Sequence, residues 1–179
     1  HDDQHGTAII SSAALLNAVA GNLPLAGSGS AGTVTNAGQV SPGDAGIGTL
    51  TLASYQGLPG SSVSIELINA IVPGLHYDVL ALVGSAALDG TLNVVTNNGF
   101  VPTNGDSFVV LTTTNRTGYF AATNLPALGP GLYWEVQYSN TTVSLLVTQG
   151  VALTGYDLWA QAITNEADRS YQSDPDSDG

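Results

Sequence analysis

The chain has 179 residues, with fourteen acids against two arginines, no lysine and no cysteine, and a formal net charge of −12. Such a surface repels phosphate backbones and anionic lipid, which disfavours nucleic acid and anionic membranes as partners; without thiols there is no disulfide framework, cysteine nucleophile or thiolate metal site. The length suits one domain, no apolar run approaches the ~18 residues of a membrane span, and a start at His1 without Met or an apolar leader reads as a processed mature chain.

In chain order, residues 1–37 come first, as an apolar segment and a Gly/Ser loop. His1, Asp2, Asp3 and His5 bring two imidazoles and two carboxylates close together. A loose end rarely supplies the geometry and supporting hydrogen bonds that a metal needs, so they read as an exposed terminus. The run AIISSAALLNAVAG, residues 8–21, is Ala-rich and fits either a short helix or an extended strand pair, because short apolar runs do not separate the two. Its apolar positions Ala8, Ile9, Ile10, Leu15, Leu16 and Val19 are candidates for adding a strand to a neighbouring copy. GSGSAG, residues 27–32, reads as a loop.

Residues 38–150 follow as a β domain. GTLTLAS, SVSIELI, YDVLALVG, GTLNVVT, DSFVVLTT, GLYWEVQYS and TVSLLVTQ are short strands about 12 to 16 residues apart, the spacing of sandwiches and solenoids. In SVSIELI, Val63, Ile65 and Leu67 point one way and Ser62, Ser64 and Glu66 the other, as a half-buried strand requires. Leu132, Trp134, Val136 and Tyr138 form a similar apolar face, with Tyr133, Glu135 and Gln137 opposite. The breaks LPG, VPG, NNG, TNG and GPG carry Gly and Asn for positive φ and Pro to set the turn. Residues 151–179 come last. There Leu158, Trp159, Ala162, Ile163 and Ala167 at helical spacing predict a short amphipathic C-terminal helix, followed by an acidic DPDSDG tail.

The order of these motifs carries a resemblance. A Ser-Pro-Gly turn in GQVSPGDAGIGTLTL, the strand SVSIELI, then GLHYDVLALVGSAALDGTLNVV, GFVPTNGDSFVVL and GLYWEVQYSNTTVSLLV resemble bacterial autotransporter passengers and related β-helix repeat proteins of the bacterial surface. The match runs over residues 38–148. It implies a parallel β-solenoid or its capping region and a surface or extracellular role, and it implies no catalytic residues. The end of the chain is similar to the start of a thrombospondin-type-3 or dockerin-like calcium loop.

Asp174, Asp176, Asp178 and Gly179 occupy the first positions of such a loop, in which alternate carboxylates converge on one cation and Gly permits the sharp turn. Calcium is therefore the expected ion, set against a plain solvated acidic tail. Other constellations favour ordinary structural roles. Asp106 and Ser107 in NGDSF mimic a hydrolase motif, yet no His follows His76, which leaves the serine without a base nearby in sequence. Tyr77 and Asp78 read as a packing and hydrogen-bonding pair at a strand edge. Glu66, Asp78, Asp89 and Glu135 are the acids that a glycoside-cleaving pair would draw on, but they sit singly on separate strands and turns. Tyr133 is the best outward aromatic for a glycan, whereas Trp134 and Tyr138 fall on the apolar face. The sequons at Asn115 and Asn140 indicate exposed turns.

The sequence thus predicts an all-β fold, either a β-solenoid or a two-sheet β-sandwich of short strands, with the C-terminal helix appended. It predicts an extracellular or cell-surface structural protein without enzymatic activity, assembling as a homo-oligomer or filament through β-edges or strand addition. The alternative is a monomeric adhesin that binds surface glycans.

Overall fold

The computed structural model describes residues 15–17, 25–44 and 46–150. The chain divides into two units, His1–Gln149 and Gly150–Gly179; apart from Gly150, the second lies outside the described residues, and with it the predicted C-terminal helix. Among the described residues every regular element is a strand. The first five are β1 (Leu15–Asn17), β2 (Leu25–Gly27), β3 (Gly29–Asn36), β4 (Gln39–Pro42) and β5 (Thr49–Gly57). Next come β6 (Ser62–Leu67), β7 (Val79–Leu82), β8 (Ser85–Leu88), β9 (Thr91–Thr96) and β10 (Ser107–Thr112). The last are β11 (Asn115–Gly118), β12 (Ala122–Asn124), β13 (Leu132–Tyr138) and β14 (Thr142–Gln149).

They form two sheets. The smaller runs β12-β9-β6-β4-β2, all its pairs parallel. The larger runs β1-β3-β5-β7-β10-β14-β13, with β8 and β11 branching from β5. It is parallel as far as β10 and then changes sense, because β14 pairs antiparallel with both β10 and β13. Through the parallel part the chain passes from one sheet to the other and back, each time laying a strand beside an earlier one.

Register turns this order into columns of like side chains. Leu25, Val40, Val63, Leu92 and Thr123 stand in one column of the small sheet. Leu50, Leu80 and Leu111 stand in one column of the large sheet. Alternation sends every second residue inward, so Val63, Ile65 and Leu67 are buried while Ser62, Ser64 and Glu66 stay partly exposed. Each buried Val or Leu contributes about 1.5–3 kcal/mol from lost apolar exposure, and stacking them on one another leaves a single core between the sheets.

The corners carry the backbone ladder around the turns. Ser62 N donates to Gly38 O at 2.7 Å, Thr91 N to Ser61 O at 2.8 Å and Ala121 N to Gly90 O at 2.7 Å. Asn36 is buried at one corner, where its Nδ2 donates to Tyr55 Oη and to Ser62 O, both at 3.0 Å. Its Oδ1 accepts from Gly38 N at 3.0 Å, so the polar group entering the core is satisfied on both sides. Corner stacking also explains a glycine. Gly90 has φ 75°, and a Cβ there would lie 2.3 Å from Ser61 O.

One expectation is corrected. The GSGSAG stretch is not simply a loop: Gly29 to Ala31 pair with Leu50 to Leu52, and β3 continues to Asn36. Local propensity of Gly and Ser for coil yields to a complete ladder with β5. Paired strands therefore occur before residue 38, β1 against β3 and β2 against β4.

Candidate functional site

The ends of the two sheets are the first feature with functional consequences. β13 pairs with β14 on one side and has no second strand beside it among the described residues. Its inward residues Leu132, Trp134, Val136 and Tyr138 pack against the core, and Tyr133, Glu135 and Gln137 point to solvent. Trp134 is held by Nε1 donating to Pro126 O at 2.8 Å and by the Phe108 ring at 5.9 Å. Tyr77 and Phe100 also meet Phe108, edge-on, at 5.3 and 6.2 Å. This aromatic group anchors the last hairpin, and no described strand pairs with the outer backbone edge of β13. β12, exposed at all three residues, ends the small sheet on one side, and β2 ends it on the other. Of the candidate assembly residues, Leu15 and Leu16 lie in β1 and pair with Val34 and Thr35 of their own chain. Ala8, Ile9, Ile10 and Val19 lie outside the described residues.

Among the scattered acids the fold joins one pair. Asp78 is wholly buried, its Oδ1 accepting from Gly48 N at 2.8 Å and its Oδ2 from Glu66 N at 2.9 Å. Asp78 N returns a bond to Glu66 O at 3.0 Å. Burial pushes the Asp78 carboxyl up to about 7; the two amide donors oppose that rise and the nearby Glu66 charge adds to it. Glu66 lines an open cleft of about 360 Å³ together with Gly46, Ile47, Ile68, Asn97 and Asn98. Its Oε2 is buried without a hydrogen-bond partner. Asp78 has both oxygens engaged by backbone, so it ties Gly48 to β6.

The other acids stay apart from this pair. Asp89 Oδ1 takes Gly90 N at 2.7 Å in a turn, and Glu135 accepts from Gln137 Nε2 at 3.1 Å on the surface of β13. Asp106 Oδ2 accepts from Thr103 N at 2.7 Å and closes the TNG turn, with Ser107 opening β10. His76 is also a loop clasp, its Nδ1 accepting from Val72 N at 3.1 Å.

A third cluster escapes sequence reasoning. Arg116 of β11 lies with its guanidinium carbon 4.7 Å from the Tyr119 ring centre and 5.2 Å from that of Tyr138. The two rings meet edge to face at 5.0 Å. Arg116 Nε donates to Ser139 O at 2.8 Å, and Nη1 donates to Gly118 O. Arg116 N donates to Asn140 O at 2.7 Å, which joins the turn carrying the second sequon to the first, and that first sequon lies in strand β11 and not in the turn expected for it. Tyr119 remains 63% exposed. The sequence shows Arg116 as the lone cation of the β region with Tyr119 three residues on, but only the turn of the last hairpin brings Tyr138 to it.

Asp174, Asp176 and Asp178 lie outside the described residues. Among the described residues no group of three or more His, Asp or Glu side chains is placed to hold a metal, and no helix is long and apolar enough to cross a membrane. In comparisons with known proteins, no family model and no curated protein matches the chain.

Proposed function

We propose that this chain is an extracellular structural protein whose body is a β-solenoid and whose copies join through their open sheet edges. The observation that carries the reading is the seven-residue edge of β13, uncovered among the described residues, at the end of a ladder built in chain order as far as β10. An edge strand presents a row of unpaired N–H and C=O groups, and proteins that must stay monomeric commonly blunt it with lysine, proline or a bulge. β13 has neither lysine nor proline, and its register against β14 is unbroken. A solenoid accounts for the parallel, in-order pairing better than a sandwich, whose sheets are usually antiparallel. The extracellular placement draws on composition: no cysteine, no lysine and abundant Gly, Thr and Ser. Calcium at Asp174, Asp176 and Asp178 fits the same setting, on carboxylate spacing alone.

The test is sedimentation and negative-stain microscopy of the full chain, with and without calcium, beside a Tyr133→Lys, Gln137→Lys double variant. Both positions face solvent, so the variant keeps the core and places two cations at the edge. Concentration-dependent assemblies that shrink in the variant are expected. A wild-type chain that stays monomeric at every concentration, or a variant that assembles equally well, overturns edge pairing at β13.

A further inference from the structure

We propose that Arg116, Tyr119 and Tyr138 form a binding site for an acidic sugar, a pyranose carrying a carboxylate, with the sugar ring on Tyr119 and the carboxylate at Arg116. This site stands independently of the assembly reading.

The first support is the company Arg116 keeps. In a chain of net charge −12 an arginine with a purely structural task has many carboxylates to choose from. Arg116 instead donates to two neutral carbonyls, Ser139 O and Gly118 O, and lies over two rings. No carboxylate pairs with it among the described residues. Its charge is thus fixed in place and not neutralised by any described residue, and Nη2 makes no hydrogen bond among those residues. A planar guanidinium held this way matches a carboxylate in geometry and in charge.

The second support is the ring beside it. Tyr119 is ordered by Arg116 on one side and Tyr138 on another, yet 63% of it is exposed. An aromatic that is both rigid and open offers an apolar platform with little side-chain entropy left to lose on binding. The C–H face of a pyranose suits such a platform. Exposed Asn140 and Thr141 on the adjoining turn supply an amide and a hydroxyl for the sugar's own hydroxyls. The field of the rest of the molecule opposes long polyanions, so the fitting ligand carries few charges and presents one carboxylate to the one cation.

The test is titration of the full chain, by ligand-observed NMR and calorimetry, with a short uronic-acid oligosaccharide, its carboxyl-reduced neutral form and an acidic peptide of equal charge. Binding of the uronate is expected, with affinity falling by at least about tenfold in Arg116→Gln and in Tyr119→Ala. Thermal melts check that each variant is folded. Because the Tyr119 ring is largely exposed, Tyr119→Ala decides the matter even if Arg116→Gln is unstable. Three results overturn the proposal: no uronate binding by the wild type at about 10 mM ligand, equal binding of the neutral sugar or the peptide, or wild-type affinity in Tyr119→Ala.

Discussion

At Asp78 two demands meet on one carboxyl. Two backbone amides favour its ionised form, while complete burial favours the neutral one, and burial prevails, with the group pushed up to about 7 from an ordinary 3.8. In the unfolded chain the carboxyl loses its proton as pH passes ordinary values near 4, whereas the folded chain keeps it to about 7. The stabilising contribution is therefore full below that lower value and is lost as pH rises through about 7. Thermal midpoints of the wild type should fall between pH 5 and pH 8 relative to those of Asp78→Asn, whose side chain does not titrate; parallel pH profiles for the two proteins contradict this. Gly90 is a second residue-scale constraint. Gly90→Ala should lose at least ~1–2 kcal/mol in chemical denaturation, because its left-handed backbone disfavours a Cβ and Ser61 O already fills the space. The sequence places Gly90 at the head of the strand GTLNVVT and Asp78 as a hydrogen-bonding residue at a strand edge. It does not mark their partners, since Gly48 lies 30 positions from Asp78 and Glu66 lies 12 positions away. Tyr138, distant in sequence from Arg116, is hidden for the same reason.

Elements were more legible than residues. Alternation in SVSIELI and in GLYWEVQYS gives both the strands and the side of each that faces the core, because a period of two is a local property. The GSGSAG strand was not legible, since a ladder supplied by β5 overrides the coil preference of Gly and Ser. Nor did alternation foretell that β13 and β14 pair antiparallel at the end of parallel neighbours, because strand direction leaves no trace in a two-residue period. The hairpin is held by Phe108, fully buried and touching Tyr77, Phe100 and Trp134. Phe108→Ala should cost about 3–5 kcal/mol, as truncation of a large core aromatic does, and near-ultraviolet circular dichroism should record the loosened Trp134. A loss well under 1 kcal/mol would mean that the hairpin rests on its backbone bonds with β10 alone.

For the whole molecule, charge decides how readily copies approach. Fourteen acids and two arginines make every encounter repulsive at long range, and salt shortens that range to about 10 Å at 0.1 M. Sedimentation at rising sodium chloride should therefore show the assembly threshold moving to lower protein concentration; a threshold that rises with salt would mean that attraction between charges drives association. Composition foretold this repulsion, and the strand spacing foretold an all-β body, yet the columns of Leu and Val came only from register, which is a relation between distant segments. The change of sense at β14 has a kinetic consequence. β13 and β14 meet across a short turn, whereas each parallel strand is separated from its neighbour by at least one intervening strand. Loop-closure entropy makes the hairpin the quickest piece to form. The parallel strands form later, each finding its place against a strand already laid.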